Sequence, residues 1–131
     1  MPFSRLLGIR VLRKHKDGVT IECSLRPEFY NLAGVLHGGV TATMADVAVG
    51  MATFGHFGRN CPITTVEMKV NYFLLVAGKN LFARARLIRV GKTLVVGRVD
   101  IQNEHRRLVG AALVTYMLLP ADDKSPRAAR G

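Results

Sequence analysis

Tryptophan is absent from the chain, and six Phe and three Tyr are its whole aromatic complement. Its core must therefore pack on aliphatic side chains, and the strands carry no aromatic face on which bases could stack, as an RNA-binding sheet needs. Cysteine is scarce: Cys23 and Cys61 form no CxxC and have no histidine at metal-ligand spacing. A disulfide framework and a structural metal are not expected, and a reducing cytoplasm is the natural setting. The N-terminal stretch lacks the apolar core and small-residue cleavage site of a secretory leader. No GxSxG elbow or Walker loop occurs, and no helix-turn-helix is visible.

Acidic residues are also few, nine against nineteen Lys and Arg, for a net charge of +10. Such a field attracts polyanions, either nucleic acid or a phosphorylated small molecule such as coenzyme A. The basic residues are scattered and never form a block, which argues against a nucleic-acid arm.

The length of 131 residues suits one domain able to bury its own core. The expected domain covers 1–119. The polar, Pro-containing segment 120–131 reads as a disordered tail. Two strands are expected at 5–14 and 18–26, joined by a turn carrying Asp17-Gly18, a hairpin signal. A loop rich in turn formers follows, then a helix over 37–54. Four further strands, at 64–73, 81–90, 93–103 and 107–118, are linked by short turns and read as an antiparallel meander. In the first of these, Thr65, Glu67, Lys69 and Asn71 alternate with Val66, Met68, Val70 and Tyr72. The fold class is α+β: an antiparallel sheet of five to six strands wrapped around one long central helix.

The helix is the informative element. It is apolar nearly all round, as a helix buried on most sides is. A membrane span is a poor alternative, because the run is short and contains a charge. That charge, Asp46, is the only ionisable residue between His37 and His56. A buried carboxylate needs compensation, from an Arg on a strand or from a role as general base or nucleophile. At the helix start, His37-Gly38-Gly39 reads either as a tight entry turn or as a carbonyl-polarising site, where free N–H groups and the helix dipole meet a substrate admitted by glycine. Gly38 and Asp46 lie eight residues apart, about 12 Å along a helix axis. If both act on one carbonyl, they must come from different chains, which predicts a two-fold dimer with two equivalent sites. His15, His56 and His105 read as turn residues. Cys61 has no base near it in sequence.

The run from Asn31 through Gly34, His37, Gly38 and Gly39 to Asp46 resembles the N-x-x-G-x-x-HGG-x-x-x-x-x-x-D signature of PaaI-type hot-dog thioesterases. The strand from Thr65 to Tyr72 and the turn Gly91-Lys92-Thr93 resemble later elements of that family. The likeness spans about residues 5–118. It implies hydrolysis of an acyl-CoA to a free acid and CoA, with no cofactor beyond the CoA of the substrate and no metal. By the resemblance, the Gly38 N–H polarises the carbonyl, and Asn31 and His37 orient the thioester or its loop. Asp46 acts as base or nucleophile, and Thr65 places the water. Gly39, Tyr72, Arg89, Lys92 and Thr93 fall among the substrate and CoA contacts. The resemblance further implies a homodimer as the active unit, a homotetramer built of two dimers, and no nucleic-acid or membrane partner. The substrate expected is an aryl- or medium-chain acyl-CoA, with Leu32, Val35, Val47, Phe54 and Phe73 available to line an acyl pocket.

One departure matters. Some relatives use Glu at the Asp46 position, with a hydroxyl residue one helical turn later, where this chain has Gly50. Water placement then falls to Thr65 or the adjacent Thr64. Two other readings remain: an acyl-CoA hydratase or dehydratase using His37 beside Asp46, and a non-catalytic binder, whether of acyl-CoA or of nucleic acid.

Overall fold

In the computed structural model, which describes residues 2–120, one helix lies across a six-stranded antiparallel sheet. The elements are α1 (Pro2–Leu7), β1 (Ile9–His15), β2 (Gly18–Ser24), α2 (Gly38–Phe57), β3 (Ile63–Tyr72), β4 (Asn80–Val90), β5 (Leu94–Asn103) and β6 (Leu108–Leu118). The segment read as a polar tail lies, from residue 121 onward, outside the described residues.

The expected layout of helix on sheet stands, with three corrections. The first strand begins at Ile9, because residues 2–7 form a short helix that stops at Gly8 (φ 77°). A left-handed residue cannot continue either a helix or a strand, and glycine adopts that conformation without strain. The four later strands are not one meander. Only β4, β5 and β6 follow one another; the sheet order is β1-β2-β4-β5-β6-β3. β4 takes the free edge of β2, pairing Gly18 with Arg86 through to Ser24 with Asn80, and this leaves β3 the outer edge beside β6. Finally, α2 runs to Phe57. It ends at Gly58 (φ 98°), whose N–H bonds the Phe54 carbonyl.

The core lies between α2 and the sheet. Met44, Ala45, Ala48, Val49 and Ala52 of the helix meet Ile21, Leu81, Ala83, Ala85, Val99, Ile101 and Val114, all buried. Fully burying each Leu, Ile, Val or Met contributes about 1.5–3 kcal/mol. Alanines on both layers let the helix settle close to the strands. At Gly97 of β5 an added Cβ would stand 2.8 Å from a methyl of Val49. The buried Thr53 hydroxyl donates to the Val49 carbonyl at 2.8 Å, so its polar atom is satisfied within the helix.

A bulge sets the chemistry of β3. Register shifts between Thr65 and Glu67, so that Thr65 pairs with Tyr116 and Met68 with Val114. Simple alternation would put Thr65 on the face of Glu67 and Lys69. The extra residue instead carries Thr65 to the helix face with Met68, Val70 and Tyr72. Thr64, paired with Met117, is left on the opposite face.

Candidate active site

The loop before α2 is built by Asn31. Its side-chain oxygen accepts the N–H groups of Ala33 (2.9 Å) and Val35 (3.1 Å), folding the chain back through Gly34 at φ 79°. The Leu36 and His37 N–H groups then bond the carbonyls of Val76 and Phe29. Asn31 therefore holds the loop.

His37 caps α2. Its Nδ1 accepts the Gly39 N–H at 3.0 Å, which in a neutral ring leaves the proton on Nε2. The Val40 N–H bonds the His37 carbonyl, while the Gly38 N–H has no partner among the described residues. The cap thus uses the second glycine and leaves the first glycine's donor free at the positive end of the helix dipole. Tyr72 of β3 donates its hydroxyl to the Gly38 carbonyl at 2.9 Å, and its ring would stand 3.3 Å from a Cβ at Gly38. Tyr72 therefore packs against the glycine turn.

Asp46 sits two helical turns further on, half-buried. Among the described residues it makes no ion pair; the arginines pair with Asp17, Glu22 and Asp100. Its partners are hydroxyls. Thr65 donates to Asp46 Oδ1 at 2.7 Å and Tyr116 to the same oxygen at 2.8 Å. Burial pushes the Tyr116 phenol far above its ordinary value of 10, and the Asp46 charge raises it further, so the phenol remains a donor across the physiological range.

Sequence reasoning missed Tyr116. Its signal was faint: the one aromatic in strand β6, 70 residues from Asp46. The absent hydroxyl at Gly50 was the other half of that signal, since a Cβ on Gly50 would lie 2.8 Å from the Tyr116 oxygen.

Arg89, Lys92 and Thr93 come together around the β4–β5 turn. They line a cavity of about 830 Å³ with Phe57, Val90 and Leu118. Asp46, Thr65 and Tyr116 do not line it, nor the cavity of about 860 Å³ between the end of α2 and the β1–β2 hairpin. The acid and the free glycine donor share one helix, eight residues apart, and the single chain does not bring them together.

Comparison with known proteins follows the same line. The sequence matches the thioesterase superfamily over residues 33–110. It is 29% identical over 133 residues to YigI of Escherichia coli K12, a medium/long-chain acyl-CoA thioesterase, covering 90% of this chain and 86% of that protein. It is 34% identical over 104 residues to human acyl-coenzyme A thioesterase 13, covering 78% and 74%. A Shewanella oneidensis protein related to the thioesterase superfamily superposes with a TM-score of 0.80 at 28% identity, over 91% of this chain and 88% of that one. A mutant of the phenylacetic acid degradation protein PaaI from Thermus thermophilus shares the fold, with a TM-score of 0.81 at 24% identity over 91% and 100% of the two chains. The chain belongs to the thioesterase superfamily, as a thioester hydrolase on the hot-dog fold of PaaI.

Proposed function

We propose that this protein hydrolyses an aryl- or medium-chain acyl-CoA, with Asp46 as its working carboxylate and a second copy of the chain completing each site. The observation that carries the reading is the state of Asp46: a carboxylate on an apolar helix, held by two hydroxyls and neutralised by no cation among the described residues. A structural acid at that depth would be expected to pair with an arginine.

In the proposed reaction water attacks the thioester carbonyl carbon and passes a proton to Asp46. The carbonyl oxygen takes up the electron pair and is held by the Gly38 N–H of the partner's helix. Collapse of this intermediate breaks the C–S bond, and the CoA thiolate recovers the proton. The nucleophilic variant forms a mixed anhydride with Asp46 first, and water then opens it. Both routes give free acid and CoA with no cofactor.

The dimer is supported by the exposed edge of the sheet. β3 is ten residues long, and Val66, Met68 and Tyr72 on it, with Phe73, Leu74 and Leu75 after it, are exposed. A long apolar edge invites pairing with another strand, and a two-fold axis there would bring the two helices together head to tail. Leu12, Ile88 and Leu113, also exposed, give two such dimers a surface on which to form a homotetramer. Arg89 and Lys92 supply charge for the CoA phosphates, with Thr93 beside them. The medium/long-chain substrate of YigI favours an aliphatic acyl group. A cytoplasmic setting accords with the two unpaired cysteines.

The test is free-thiol release from phenylacetyl-, hydroxybenzoyl-, hexanoyl- and crotonyl-CoA. Release abolished in Asp46→Ala and Asp46→Asn is the expected result. Loss of the crotonyl double-bond absorbance without thiol would mean a hydratase, and binding without turnover a sensor.

A further inference from the structure

Two hydroxyls lie within hydrogen-bonding distance of the same oxygen of Asp46. Thr65 donates to Oδ1 at 2.7 Å and Tyr116 at 2.8 Å, and the Tyr116 oxygen also lies 2.9 Å from the Asp46 backbone carbonyl. A carboxylate oxygen offers two lone pairs, so Oδ1 is filled. Oδ2 has no partner among the described residues and keeps both of its pairs. The terminal torsion of an aspartate is otherwise broad and two-fold, so nothing else in the side chain distinguishes the two oxygens.

Tyr116 can reach Oδ1 only because of what α2 omits. A Cβ on Gly50 would stand 2.8 Å from the Tyr116 oxygen and 3.2 Å from the ring carbon that bears it. A side chain there would force the phenol oxygen to shift from its place beside the acid. The helix face one turn beyond Asp46 is therefore hollowed, and a strand residue fills it.

We propose that Tyr116 is a positioning residue for the reaction, seated over Gly50, which with Thr65 anchors Oδ1 and leaves Oδ2 as the oxygen that takes the proton from water or attacks the thioester. The inference rests on Asp46 as the working carboxylate. It adds which oxygen works, and which two residues decide that. Tyr116 is the titratable side chain in hydrogen-bonding contact with Asp46, and no cation of the described residues stands within ion-pairing distance of it. The electrostatic consequence of removing the phenol is therefore simple. The ionised carboxylate loses a donor, and no cation is at hand to replace it.

The test is steady-state hydrolysis of hexanoyl-CoA by wild type, Tyr116→Phe, Gly50→Ala and Asp46→Asn, with kcat and KM measured separately. Tyr116→Phe keeps the ring and removes only the donor. Its kcat is expected to fall about tenfold or more at unchanged KM, since misorientation is felt in the transition state. Gly50→Ala should give the same signature by displacing the phenol, and it tests the idea without altering the tyrosine. Wild-type kcat in Tyr116→Phe, or a loss confined to KM, would overturn the inference, as would wild-type kinetics in Gly50→Ala. If Asp46→Asn is inactive while Tyr116→Phe is unaffected, this inference alone fails. If Asp46→Asn retains activity, the proposed function fails with it.

Discussion

Two individually inactive variants should restore each other's activity when combined. Gly38→Pro removes the one donor that the helix cap leaves free. Gly38 is the first helical residue, where proline's fixed φ suits the helix and its missing N–H breaks no intrahelical bond. His37 before it is extended (φ −64°, ψ 133°), the conformation that a following proline requires. The ring must gain a few tenths of an ångström against Tyr72, whose nearest atom would lie 3.3 Å from a Cβ there. The fold should survive, and loss of one oxyanion donor should lower kcat by about a hundredfold or more. Asp46→Asn removes the proposed base. In the proposed dimer, because about 12 Å of helix separates the two positions, a carbonyl held by Gly38 of one chain would be attacked from Asp46 of the other. A dimer of one Gly38→Pro chain and one Asp46→Asn chain then has one doubly broken site and one intact site. Purified through two different affinity tags, it should show about half of wild-type activity per dimer. Equal amounts re-paired at random should reach about a quarter, since about half of the dimers are mixed. A mixed species no more active than its better parent would refute the shared site, because sites built within one chain are all broken in that mixture.

Other perturbations test the surrounding structure. Gly97→Ala places a Cβ 2.8 and 2.9 Å from the two methyls of Val49 and should cost about 1–3 kcal/mol, lowering the thermal midpoint by several degrees. Val49→Ala in the same chain should recover part of that loss in a double-mutant cycle, and additive losses would deny the contact. Arg89→Ala with Lys92→Ala should raise KM for acyl-CoA while leaving kcat nearly unchanged, with a weaker dependence of KM on salt; an unaltered KM would place the CoA phosphates elsewhere. Alkaline stability gives a further check. Tyr116 is raised above its ordinary value of 10 in the fold, so its contribution is complete below pH 10 and is lost as pH climbs from there toward its folded value. Difference absorbance between wild type and Tyr116→Phe should show this phenolate appearing only with unfolding; a phenolate appearing near pH 10 in the native protein would contradict its burial.

What the sequence disclosed and what it hid divide along sequence distance. The helix was legible because its signals are local: an apolar run of about five turns, a His-Gly-Gly entry, and one charge in its middle. The strands of β4, β5 and β6 were legible from alternation and short turns. Their order was less so, because nothing in β3 announces that β4 will pair with β2 and leave it at the far edge. The acid was found as the lone charge in an oily helix, yet its partners were found only in part. Thr65 was named through resemblance, while simple alternation put it on the wrong face. A bulge is one extra residue in a register, and it becomes visible only against the strand beside it. Tyr116 was missed for the same reason.

The two gaps are in fact one piece of physics. A carboxylate in an apolar helix must be held by donors that bring no positive charge, or its reactivity is lost to an ion pair. The helix cannot supply them without crowding its own packing face, so they must come from the sheet. The bulge turns Thr65 inward, and Gly50 withdraws so that Tyr116 can reach the same oxygen. A residue read alone as a missing hydroxyl is, in three dimensions, the space in which the hydroxyl sits.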